Sequence, residues 1–196
     1  MNLRYSGYPV RIHSGTNSLD RIDSELNRVN SKRAMIVCGQ SIAKRTNLIE
    51  RVKNVCKPPE RIVCVFDQAE TSSPLPSVLK GVQIAEENQV DCIISVGGGS
   101  SIVTTRGILI LLAENGTASD LCTQYPEGGR PISPRLDEEK LPTISIITTP
   151  TTATNRSGTA LKDLETGTRL ELFDPKTRPV AVVWDKEALE TASVEL

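Results

Sequence analysis

The chain has 196 residues, 38% of them apolar and 24% charged, with a net charge of −1. That is enough for one large domain with a real core, and it leaves no electrostatic case for nucleic acid or a membrane surface as partner. No run approaches the ~20 consecutive apolar residues of a membrane-crossing helix, the Met1-Asn-Leu-Arg4 start lacks signal-peptide character, and five cysteines, an odd number with three in or beside apolar runs, read as free thiols of a cytoplasmic protein.

The first predicted strand runs from Tyr8 to His13, and Gly15-Thr-Asn-Ser-Leu19 supplies a turn and a cap for an amphipathic helix from Leu19 to Val29. Ala34 to Cys38 is a buried strand ending at Gly39. Ser41 to Val55 carries Ile42, Leu48, Ile49 and Val52 at helical spacing, and Pro58-Pro59 ends it. Arg61 to Phe66 is the next strand and Pro74 to Glu87 the next helix. An apolar run from Val90 then closes on Gly97-Gly98-Gly99-Ser100, and a second from Ser101 to Ala113 is long enough for a helix. Strands alternating with helices across short links imply parallel strands and right-handed crossovers. The expected fold is therefore α/β, a doubly wound and mostly parallel Rossmann-like sheet with ligands at the carboxyl ends of its strands.

Residues 116–140 are rich in Gly, Pro and charge, and read as a long surface loop because another buried strand, Thr143 to Ile147, follows at once. That strand runs into Thr148-Thr-Pro-Thr-Thr-Ala-Thr154, seven residues of which five are threonine. The hydroxyls suit either a polar ligand or the turn's own backbone. Gly158 to Asp163 and Thr168 to Phe173 flank Glu165-Thr-Gly167 as a hairpin, and Pro179 to Trp184 is the last strand. Asp185 opens a further helix. Residues 1–185 thus read as one α/β domain, and 186–196 as the start of a further, helical one.

The glycine turn is the centre of the chain. At a strand-to-helix turn, Gly97, Gly98 and Gly99 can take positive φ and let backbone N–H groups approach a ligand, while the helix N-terminus favours negative charge. The pattern is neither the six-residue dinucleotide fingerprint nor a P-loop with its Lys. It fits a phosphate cradle or a plain tight turn.

Taken in order, Ser14-Gly15, the strand Ala34 to Cys38, Ser95-Val-Gly-Gly-Gly-Ser-Ser-Ile102, Ile147-Thr-Thr-Pro-Thr-Thr-Ala153 and Phe173-Asp-Pro through Val183-Trp-Asp185 resemble the N-terminal half of the iron-containing (group III) alcohol dehydrogenase family. The resemblance spans nearly the whole chain. It implies a cofactor, NAD or NADP, held by Gly97, Gly98, Gly99, Ser100, Thr148, Thr149 and Thr152, with Thr151 and Thr152 as an alternative threonine pair. It places Arg169 where the family commonly has a Lys near the nicotinamide ribose. It puts Gly39 where the family commonly has an Asp that selects NAD, so NADP is expected to be accepted at least as well, with Gln40, Ser41 and Lys44 near its phosphate. Asp185 matches a conserved Asp that is not a metal ligand.

The departures are as informative. Where the family motif continues to an Asp and a Lys, this sequence has Val103 and Arg106. In the intact family a helical domain follows, whose Asp and three His hold divalent iron or zinc that polarises a small alcohol or aldehyde during hydride transfer. This chain has a single histidine, His13, best read as structural, so a three-His metal site is not expected in it and no catalytic residue is assigned. Two functions follow. The chain is the NAD(P)-binding, Rossmann-like domain of such an oxidoreductase, lacking the metal-binding domain, inactive by itself and prone to self-association through an uncovered surface. The alternative is a non-enzymatic nucleotide-binding or interaction module derived from the family.

Overall fold

The computed structural model describes residues 7–192; the start at Met1 to Arg4, read above for signal character, and the last residues of the 186–196 segment lie outside it. It has eight strands and six α-helices. They are β1 (Arg11–Gly15), α1 (Ile22–Arg28), β2 (Ala34–Cys38), α2 (Gln40–Arg45), α3 (Leu48–Val55), β3 (Ile62–Phe66), α4 (Leu75–Glu87), β4 (Cys92–Gly97), α5 (Gly99–Ala113), β5 (Thr143–Ile147), β6 (Gly158–Lys162), β7 (Arg169–Phe173), β8 (Ala181–Asp185) and α6 (Lys186–Leu189). Strand and helix alternate as far as β5 except for the pair α2 and α3. Six strands form one sheet in the order β1-β8-β5-β4-β2-β3, and every neighbouring pair is parallel. The expected doubly wound sheet is what folds.

Period-two alternation divides the buried strands between two cores. Met35 and Val37 of β2, with Ile93 of β4, face α4, α5 and the β6–β7 hairpin through Phe66, Val78, Ile108, Leu161 and Leu172. Their neighbours Ala34, Ile36, Cys38, Ile94 and Val96 face Leu26 of α1 and Leu48 and Val52 of α3. A sheet covered on both faces explains why these strands read as continuous apolar runs. α5 is buried over most of its circumference, its Ser101, Thr104, Thr105 and Arg106 included. It packs so closely that a Cβ added at Gly107 would lie 2.9 Å from both Leu161 Cδ2 and Val78 Cγ1.

Several boundaries differ from the sequence reading, each for a local reason. The first strand starts at Arg11, because its ladder opens with Arg11 N donating to Val180 O at 3.1 Å, beyond Pro9, which has no N–H. The single helix expected over Ser41 to Val55 is two. Thr46 takes extended backbone, its Oγ1 donates to Ile42 O at 2.7 Å and accepts from Leu48 N at 3.2 Å, so one hydroxyl closes α2 and opens α3. The first helix begins as a 3-10 turn at Ser18–Arg21. The loop 116–140 is pinned by buried Ala118, Leu121, Cys122 and Leu136 and by an antiparallel bridge between Gln124 and Ile132. Among the described residues no helix is long and apolar enough to cross a membrane.

Candidate functional site

The topology decides where a ligand can sit. β2 and β4 are neighbours, but the connection from β2 runs outward to β3 on one side and that from β4 to β5 on the other, which opens a crevice between their carboxyl ends. Gly39 follows β2 there, the glycines follow β4, and Thr148 and Thr149 follow β5. A cavity of about 560 Å³ fills this crevice, lined by Gly39, Gly97, Gly98, Gly99, Ser100, Thr148 and Thr149 among others.

Local geometry makes the glycine turn an open cradle. Gly97 has φ 143°, a conformation L side chains avoid, and a Cβ on it would meet Ser101 Oγ at 2.5 Å. Gly98 and Gly99, by contrast, do not use positive φ, contrary to the expectation for all three. Gly98 is needed for space: its Cβ would come within 2.6 Å of Thr149 Oγ1. Gly98 is also the N-cap of α5, with no side-chain cap. The first intrahelical bond runs from Ile102 N to Gly98 O, which leaves the N–H groups of Gly99, Ser100 and Ser101 with no acceptor inside the helix. An anion at this point would meet both the free N–H groups and the positive end of the helix dipole.

The threonine loop divides its labour. Thr148, nearly buried, hands its N–H to Gly97 O at 3.1 Å and so ties the loop to the turn. Thr149 faces Gly98. Thr151 caps a 3-10 turn by accepting from Ala153 N at 3.1 Å, which is the self-satisfying turn the sequence allowed. Thr152 lies in that turn, Thr152–Asn155, and lines neither this cavity nor its neighbour.

Some expected residues part company. Gln40 and Lys44 bond each other, Lys44 Nζ donating to Gln40 Oε1 at 3.2 Å, while the cavity wall is built from Ser41, Arg45, Thr46 and Thr71. Arg45 was not singled out in the sequence, although one residue's shift along a short helix is all that separates it from Lys44. Arg169 lines an adjoining cavity of about 780 Å³ that shares Gly99 and Ser100 with the first. Arg106 also reaches that second cavity, yet it is 1% exposed. Its guanidinium donates to Gly158 O at 3.1 Å and to Ala153 O, so it clamps the hairpin and threonine loop onto α5. Val103 lines the same cavity and accepts from Thr159 Oγ1 at 2.7 Å through its carbonyl.

His13 bonds Glu25 across 2.9 Å and plays the structural part assigned to it. Asp185 is fully buried and caps α6; it accepts from Ala188 N and Leu19 N and pairs with Arg51, each at 3.3 Å. It thereby fastens the last strand to the first helical turn. Among the described residues no group of three or more His, Cys, Asp or Glu stands together to hold a metal ion.

The sequence model of the family "Iron-containing alcohol dehydrogenase" matches residues 9–186. The chain belongs to that family. Its relatives include an NADH-dependent butanol dehydrogenase A of Clostridium acetobutylicum, 26% identical over 90% of this chain and 43% of that protein. An NADP-dependent alcohol dehydrogenase 3 of Entamoeba histolytica is 30% identical over 52% of this chain and 26% of its own length. The fold of this iron-containing alcohol dehydrogenase relative superposes on the crystal structure of an NADH-dependent butanol dehydrogenase A of Thermotoga maritima with a TM-score of 0.82 at 17% identity, over 99% of this chain and 46% of that one. The chain thus spans less than half the length of these relatives.

Proposed function

We propose that the cavity at the carboxyl ends of β2, β4 and β5 binds NAD or NADP, with Gly97, Gly98, Gly99 and Ser100 around the pyrophosphate, Thr148 and Thr149 beside it, Gly39 near the adenine ribose and Arg169 toward the nicotinamide end. The observation that carries this is the uncapped start of α5, where three N–H groups without intrahelical acceptors open at the shared edge of the two cavities. Thr152 belongs to the site only if ligand binding reshapes its 3-10 turn. Family membership supports a nicotinamide cofactor, and the relatives named above include both NADH- and NADP-dependent enzymes.

In the whole protein the cofactor would supply hydride transfer to or from a small alcohol or aldehyde. What these residues contribute is binding and orientation: the turn fixes the diphosphate, and the passage past Gly99 and Ser100 directs the nicotinamide end into the second cavity. The alternative, a nucleotide-binding module without chemistry, draws support from one observation: Arg106, at the family's Lys position, is spent on backbone carbonyls.

On the ribose side no carboxylate is among the lining residues, whereas Ser41 and Arg45 are. NADPH should therefore bind at least as well as NADH. Fluorescence titration of both dinucleotides decides it, with Arg45→Gln expected to weaken NADPH selectively. Gly39→Asp should weaken NADPH too, although its Cβ would sit 3.1 Å from Ala69 O. A preference for NADH of about tenfold, equivalent to about 1.4 kcal/mol, in the parent chain would overturn this assignment. Binding of neither would overturn the site.

A further inference from the structure

Beyond Arg169, the second cavity carries charge that the dinucleotide reading does not use. Four guanidinium groups line it, from Arg106 on α5, Arg156 after the threonine loop, Arg169 on β7 and Arg178 before β8, against one lining carboxylate, Glu171. That carboxylate already accepts the hydroxyl of Tyr125. Among the described residues none of the four arginines makes an ion pair. Arg178 instead stacks on the Tyr8 ring, 4.8 Å from its centroid, and both Arg106 and Arg178 keep a buried Nε without a hydrogen-bond partner.

These charges lie close enough to act on one another. Burial pushes the Arg106 guanidinium down to about 10, and against an opposing pull from Tyr8 the charges of Arg178 and Arg156 push it the same way. Like charges gathered in a partly desolvated hollow destabilise the fold unless something negative joins them. The planar guanidinium fork matches a carboxylate or a phosphate, and a concave volume of about 780 Å³ suits a small molecule, not a flat partner surface.

We propose that this cavity is a binding site for the oxyanion group, carboxylate or phosphate, of a small molecule, held by Arg156 and Arg178 with Arg169 and the buried Arg106 adding their charge. The site goes beyond the dinucleotide assignment and does not rest on it: the nicotinamide end would enter the same cavity past Gly99 and Ser100, but of the four arginines that assignment uses only Arg169.

The test titrates the purified chain with inorganic phosphate and with succinate by calorimetry in chloride buffer, with and without saturating NADH. Saturable binding of either probe is expected, retained in the presence of NADH and in Gly98→Val, and weakened about tenfold or more in Arg156→Gln/Arg178→Gln. Phosphate alone would assign the site to a phosphate group, and succinate binding to a carboxylate. If the double variant loses its thermal transition, Arg156→Gln, at an exposed position, carries the same test. Three results overturn the proposal: no saturable binding of either probe, binding indifferent to the arginine variants, or binding abolished by NADH. Phosphate binding that disappears in Gly98→Val would likewise move the anion to the glycine turn. Failure of NADH to bind would sink the dinucleotide reading and leave the phosphate and succinate titrations to decide this one.

Discussion

Gly98→Val separates the structural from the ligand-binding part of the glycine turn. Gly98 has φ −93° and ψ −154°, extended backbone that a branched residue can adopt, so the cost of the substitution is steric. Its new Cβ would lie 2.6 Å from Thr149 Oγ1, and overpacking of this kind destabilises by about 1–3 kcal/mol. In a chain of this size each kcal/mol moves Tm by about 2–4 °C, so the expected loss is roughly 2–12 °C. The branched methyls would also stand between a diphosphate and the N–H groups of Gly99 and Ser100. Losing one charge-assisted hydrogen bond, at about 1.5–3 kcal/mol, weakens dinucleotide binding about 10- to 150-fold. The two effects have different origins and should come apart in a second variant. Thr149→Ala removes the obstructing hydroxyl, so Gly98→Val/Thr149→Ala should recover Tm without recovering NADH affinity. Differential scanning calorimetry and fluorescence titration read the two quantities. A Gly98→Val chain that loses Tm but binds NADH as tightly as the parent would refute the cradle and leave a plain tight turn.

Lys140 has a side chain with no exposure, paired with Glu114 and, at 3.2 Å, with Asp174. Lys140→Met strands Glu114 and leaves Asp174 with Lys176 alone, and should cost about 3–5 kcal/mol in urea unfolding; a loss under about 1 kcal/mol would show the pair to be idle. Burial pushes the Glu25 carboxyl up, but hydrogen bonds from His13 and Arg28 outweigh it and leave the group below its ordinary value of 4.5. A depressed carboxyl stabilises the fold above its unfolded value, and that contribution is lost as pH falls through the folded one. His13→Gln should therefore move the acid-unfolding midpoint to higher pH, and an unchanged midpoint would remove Glu25 from the acid response. Burial pushes the Cys38 thiol up to about 12 and Cys56 up to about 11, and raises Cys92 as well. Because the thiolate is the reactive form, these three should resist disulfide reagents near neutral pH until the chain unfolds; rapid labelling of any in the native state would contradict their burial.

Much of the fold was legible because its signals are local. Ala34 to Cys38 is a continuous apolar run, Ile93 to Val96 and Thr143 to Ile147 are broken only by small hydroxyl residues, and such runs bounded by turn residues have few ways to fold other than as strands covered on both faces. The glycines after β4 and the hairpin at Glu165-Thr-Gly167 are likewise written in adjacent residues, and the ordered set of pieces carried the family. What adjacency could not supply is which strand lies beside which. That β4 returns to pair with β2, and not β3, depends on packing of both sheet faces at once, and with the β4–β5 pairing it brings Gly39, Gly98 and Thr149 to one crevice. The break at Thr46 turned on where a single hydroxyl points, and the choice of Arg45 over Lys44 for the cavity wall on the rotation of a short helix. Arg106 looks in the sequence like a cation on a helix surface. Only the tertiary structure buries it, because the hairpin and the threonine loop close over α5, and the same closure gathers Arg156, Arg169 and Arg178, distant from it along the chain, around one cavity.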